Sequence, residues 1–219
     1  MNEYLLVKLL HLVGFAYWLG GDLGVFYSSF FVVNEKRSKE ARVAAAKILF
    51  GVDLGPRISM TMMLPLGAHL AWRLGVLPIN GTIMAVIWIT CLSWLAMVLT
   101  LHVAASSRFK ATLTTFDFYL RLMLSLGLVG AGLYSLLGPG TLQYWVAAKL
   151  SIFGGLVGCG LIIRIKLKPF GAAFANLVSD NAGDADDAVI RRSLAATRPI
   201  VVMIWIGLLV SAALGIHLI

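Results

Sequence analysis

Residues 82–104 read TIMAVIWITCLSWLAMVLTLHVA, a run without a single Asp, Glu, Lys or Arg. At about 1.5 Å of rise per residue, a helix of this length covers the roughly 30 Å hydrocarbon core of a bilayer. Comparable apolar runs occupy residues 4–33, 48–72, 120–137, 142–163 and 199–218. The pattern predicts an all-α, polytopic integral membrane protein, a helical bundle with six transmembrane helices forming one domain over residues 1–219. Composition agrees. With 60% hydrophobic residues, 13% charged residues and a mean hydropathy of +0.91, the chain does not describe a soluble domain of 219 residues. The second run is interrupted by Asp53, Pro56 and Arg57, and the proline predicts a kink or a helical entry from the surface.

Basic residues set the expected orientation. With the N-terminus outside, the cytoplasmic face receives Lys36, Arg37, Lys39, Arg42, Lys47 and Arg57 from the first loop. Arg108, Lys110 and Arg121 follow from the third, and Arg164, Lys166, Lys168, Arg191, Arg192 and Arg198 from the fifth. The outer half keeps only Lys8, Arg73 and Lys149. This bias places both termini outside a bacterial-type cytoplasmic (inner) membrane. The +8 charge then reports topology and contact with anionic membrane lipid; a nucleic-acid partner would need a soluble basic domain. The N-terminal run carries Glu3 in place of a basic cluster and offers no convincing cleavage site before Asp22, so it reads as the first helix and not as a secretory signal.

The largest expected extramembrane piece is a cytoplasmic loop at residues 165–198. Its acidic run, Asp180 to Asp187, lacks the glycine and closing glutamate of a calcium loop and reads as a turn capping a short helix. Cys91 and Cys159 differ in expected depth by about 9 Å, which disfavours a disulfide and leaves them as small packing residues.

The first helix carries the most chemistry. His11, Phe15, Trp18 and Asp22 fall on one stripe, with Gly14 and Gly21 beside it permitting close approach of a neighbouring helix or a flat ligand. Asp22 is expected to pair with Arg57, since an unpaired charge at that depth is costly. His11, His69 and His217 belong to the outer half, and His102 to the inner end of the third helix. Antiparallel first and second helices would let His11 and His69 face each other and hold haem iron from opposite sides, as transmembrane b-type cytochromes do. The bland alternative is that each imidazole bonds a carbonyl or an interfacial water. Lys149 lies about 10 Å inside its helix, close to the depth of His11, and needs a carboxylate, a propionate or a route to the interface.

The segment Leu10-His11 to Tyr17-Trp18-Leu19-Gly20-Gly21 resembles the first helix of the CopD copper-resistance membrane family and of HemJ-type protoporphyrinogen oxidases, where a histidine, six residues, a tryptophan, one residue and a glycine recur. Trp145 to Lys149-Leu150 is similar to a later HemJ helix. These matches cover about a quarter of the chain. The resemblance implies that His11 is a haem-associated histidine and that Lys149 is an intramembrane base or propionate partner. The chain departs from HemJ where Phe26-Tyr27-Ser28-Ser29 replaces a Pro-Arg pair, and its terminal helix lacks the charged entry motif. The implied activity is therefore haem b-dependent electron transfer or oxidoreduction near the outer face, with Trp18 shaping the pocket and a redox protein or quinone as partner, in preference to protoporphyrinogen oxidation itself.

Copper handling is the alternative. Met60, Met62 and Met63 cluster in the second helix with His69 further out, a set of soft ligands that suits Cu(I), although methionine is also a routine packing residue. A non-catalytic scaffold subunit is the third reading. Phosphate-binding loops, nucleophile elbows and zinc-protease helices are absent from the sequence, so an ATP-driven pump or an intramembrane hydrolase has no support.

Overall fold

The computed structural model describes residues 2–105 and 108–218. Among these, the chain forms eight α-helices and no strand: α1 (Glu3–Val32), α2 (Lys39–Val52), α3 (Leu54–Arg73), α4 (Gly81–Val103), α5 (Arg108–Leu137), α6 (Tyr144–Lys166), α7 (Lys168–Val178) and α8 (Asp184–Gly215). Short polar side chains start several of them. Asn2, Ser38 and Asn80 each accept from a backbone N–H in the first turn of α1, α2 and α4, meeting donors that have no partner within the helix.

Five helices, α1, α4, α5, α6 and α8, are long and apolar enough to cross a membrane. The sixth expected run is divided. Asp53 stands in a turn between the amphipathic α2 and the 20-residue α3, and Pro56 occupies the first turn of α3, where its missing N–H costs little. The break that the sequence suggests is therefore a junction of two helices and not a kink in one. Helix α3 carries Arg57, Ser59, Thr61 and Arg73 and is less apolar than the other five.

Two more boundaries differ from hydropathy alone. Helix α5 begins at Arg108, and not near residue 120, while α8 begins at Asp184 and runs through Pro199. The expected loop at 165–198 is thus largely helical: α7 followed by the polar first half of α8. Acidic Asp184, Asp186 and Asp187 sit in the first turn of α8, where the helix dipole favours them, and Asp186 accepts from Gly183 N–H at 3.2 Å. Apolar runs mark the lipid-compatible part of a helix; they do not mark where the hydrogen-bonded backbone ends.

Tryptophans and methionines build the main core. Trp18, Met60, Trp94, Met97, Val98, Leu156, Val157, Ile204 and Leu208 join α1, α3, α4, α6 and α8. The most extensive helix pairing is α5 with α6, reinforced by Ser125, whose hydroxyl donates to Gly154 O at 2.8 Å. A second core forms at the end of the bundle rich in lysine and arginine, called here the basic end. There Val32, Ala46, Leu49, Phe170, Ala173, Leu177, Ile190 and Leu194 tie α2 and α7 to the ends of α1 and α8. Arg42 is buried between them and donates to Val32 O at 2.9 Å and to Asp187 at 2.5 Å. Helix α2 thus shares one packed unit with α7. Both cysteines are free.

Candidate functional site

Helix α1 runs beside α3, and Gly14, Gly21 and Gly67 each face a side chain of the other helix. His11 lies against Gly67: a Cβ added there would sit 3.3 Å from His11 Cε1. Its Nδ1 is buried and has no hydrogen-bond partner. Further along the stripe, Trp18 is only 4% exposed and meets Phe153 of α6 edge-on, with ring centroids 6.0 Å apart.

That ring contact joins the side chains of α1 and α6 in the main core. Moving from Trp18 toward the N-terminus of α1 reaches His11 after about two turns, and moving from Phe153 toward the start of α6 reaches Lys149 after about one turn. Lys149 Nζ packs on the bare backbone of Gly215, where an added Cβ would lie 2.6 Å away, and stands 5.6 Å from the Trp145 ring centroid. Gly215 ends α8, so the cation meets the negative end of that helix dipole. Trp145 in turn meets His217 edge-on at 5.4 Å.

His69 does not join it. Its Nε2 faces Glu3 Oε1 at 2.9 Å, and Trp88 Nε1 donates to its Nδ1 at 3.2 Å. Both ring nitrogens are engaged, with Nδ1 accepting and Nε2 donating. Gly67 faces His11, and His69, two residues on, is rotated by about 200° around α3. The expected pairing of His11 with His69 is therefore not what the structure shows: His69 turns to Glu3 and Trp88 while His11 lies against Gly67. Among the described residues, no three or more His, Cys, Asp or Glu side chains converge as a metal site.

The Asp22–Arg57 pair is also replaced. Arg57 bonds Asp53, one turn earlier in the chain, with Nε to Oδ2 at 2.6 Å. Asp22 Oδ2 is buried without a hydrogen-bond partner. The proline before Arg57 packs on Gly21, and Arg57, about 100° further round α3, meets the local carboxylate first.

Two methionines of the copper alternative, Met60 and Met63, have separate neighbours. Met60 Sδ accepts from Arg121 Nη1 at 3.4 Å, placing a fixed cation beside the thioether. Met63 Sδ instead faces Gly14, 3.1 Å from where a Cβ would stand.

Sequence reasoning missed the most heavily bonded polar cluster. Asp117 of α5 has no exposed surface and accepts from Trp94 Nε1 at 3.0 Å, Arg121 Nε at 2.9 Å and Arg164 Nη2 at 2.6 Å. The Arg121 guanidinium also lies 5.3 Å from the Trp94 ring centroid. The available signal was the Asp117–Arg121 spacing of four, which aligns opposite charges on a helix face. Arg164 and Trp94 reach the same carboxylate from other helices, and no local pattern announces them. No family model, curated protein or solved structure matches this chain.

Proposed function

We propose that this chain is a six-span protein of a bacterial-type cytoplasmic membrane, with α3 as the sixth span and both termini outside. In this reading it binds haem b through His11 and serves electron transfer or oxidoreduction near the outer face. The observation that carries the reading is His11 itself: a buried imidazole nitrogen without a partner, flanked by the bare backbone of Gly67; Lys149 joins it through the family resemblance. An unsatisfied polar group in apolar surroundings is costly, and ligation would satisfy it. The resemblance to CopD and HemJ helices supports the same two residues.

Only His11 of the two expected histidines fits as a ligand, because His69 is committed to Glu3 and Trp88. A single-histidine site follows. Haem, when bound, would supply one-electron chemistry. Lys149 would contribute a positive charge suited to a propionate, or a proton donor and acceptor at Nζ. Trp18 would close the site toward the core. Copper is the weaker reading, because the Arg121 guanidinium occupies the lone-pair side of Met60.

An optical spectrum of gently purified protein tests this. Haem gives a Soret band and reduced-minus-oxidised visible bands. A colourless protein retaining copper by elemental analysis would favour copper handling. Neither signal, after expression with adequate haem and copper, would favour a scaffold subunit.

A further inference from the structure

A cavity of about 470 Å³ opens at the basic end, between the C-terminal end of α2, the start of α3 and the facing ends of α4, α5 and α6. Its polar wall carries Arg57, His102, Lys110, Thr114 and Arg164, with Asp53 as its one carboxylate. Phe50, Val98 and Leu101 form the apolar wall. We propose that this cavity binds the phosphate headgroup of an anionic phospholipid, with its acyl chains along the apolar wall.

Charge balance is the first argument. Asp53 is taken by Arg57, and the adjoining Asp117 is shared by Arg121 and Arg164. Three guanidinium groups therefore face two carboxylates. Excess positive charge beside an apolar core is costly without a counter-anion. Arg164 supplies the second argument. Its Nη2 holds Asp117, while its Nη1 is buried without a hydrogen-bond partner. A phosphate oxygen in the cavity would accept from that N–H, as guanidinium groups bind phosphate readily.

Position and shape select a lipid over a free ion. Helix α2 is amphipathic, carries Lys39 and Lys47, and leaves Ile48 and Phe50 58% and 46% exposed. Such a helix suits the plane of a membrane interface. The cavity at its C-terminal end then lies at headgroup depth, with exposed Phe50 on one side and exposed Arg57 and His102 on the other. Inorganic phosphate would use the cations and leave the apolar wall idle.

The test is native mass spectrometry of the full chain in detergent, incubated with equal amounts of phosphatidylglycerol and phosphatidylcholine. Parallel samples receive inorganic phosphate alone. One phosphatidylglycerol per chain should be retained preferentially, and the preference should weaken as salt is raised. Because each Lys or Arg near an anionic surface contributes about 1 kcal/mol, the loss of Arg57 in the double variant Arg57→Gln, His102→Gln should lower retention about fivefold. Arg37→Gln, on the same end but outside the cavity, should leave it unchanged. Equal retention of the two lipids by the unaltered protein would overturn the proposal. So would phosphatidylglycerol retention unaffected by the double substitution, or inorganic phosphate binding that the lipid does not displace. The salt and lipid comparisons on the unaltered protein decide the matter even if the double variant folds poorly.

Discussion

Arg164 donates from Nη2 to Asp117 Oδ2 at 2.6 Å, joining α6 to α5 through a carboxylate without exposed surface. Asp117 is thereby the shared acceptor for two arginines and a tryptophan. Asp117→Ala should destabilise the fold by about 3–5 kcal/mol, because Arg121 would be left buried and unpaired. Trp94→Phe removes one hydrogen bond to a charged group and should cost less, about 1.5–3 kcal/mol. Thermal unfolding in a fixed detergent checks the order; an Asp117→Ala protein as stable as the parent would contradict it.

Gly21 and Gly20 provide a steric comparison. A Cβ at Gly21 would meet Pro56 Cδ at 2.5 Å, whereas one at Gly20 meets nothing within 4 Å. Gly21→Ala should therefore cost about 1–3 kcal/mol by forcing α1 from α3. Gly20→Ala should be neutral, or stabilising by up to about 1 kcal/mol from helix propensity. The melting temperatures of the two variants should move apart.

The haem reading predicts a graded response at three residues. His11→Ala should remove or severely loosen the haem. Lys149→Met should leave more haem bound while shifting its potential or slowing turnover. His69→Ala should preserve the Soret band, since its bonds go to Glu3 and Trp88. An unchanged spectrum in folded His11→Ala would withdraw the ligand assignment.

Arg42 should control the small core at the basic end. Its bonds to Val32 O and Asp187 link the end of α1, α2 and α8, and Asp187 retains enough exposure to be solvated if the arginine is lost. Arg42→Met should cost about 1–3 kcal/mol and speed tryptic cleavage at Lys36 and Arg37, both exposed in the α1–α2 connection. A cleavage rate equal to that of the parent would show that the apolar contacts hold α2 without it.

Orientation has a direct chemical check. In a background with Cys91 and Cys159 replaced, Pro78→Cys in the α3–α4 turn should react with an impermeant thiol reagent from outside, and Ala172→Cys in α7 should be protected. Both sites are exposed on the chain itself. The reverse pattern would invert the proposed topology.

The sequence alone determined the helical class, the apolar segments, the charge imbalance between the two ends and the interruption at Asp53 and Pro56. Each is a local property, summed along a few turns, and hydropathy reads such sums well. It did not give the polar first third of α5 or first half of α8, where helical backbone continues beyond the apolar stretch. Partner choice belonged to the tertiary structure. Rotation of α3 about its own axis sends His69 toward Glu3 and Trp88 while Gly67 meets His11, and Asp53 reaches Arg57 before Asp22 can. Asp117 gathers Trp94, Arg121 and Arg164 from three helices because their packing angles converge there. Azimuth and convergence depend on how whole helices pack, and that information is not contained in any one stretch of residues.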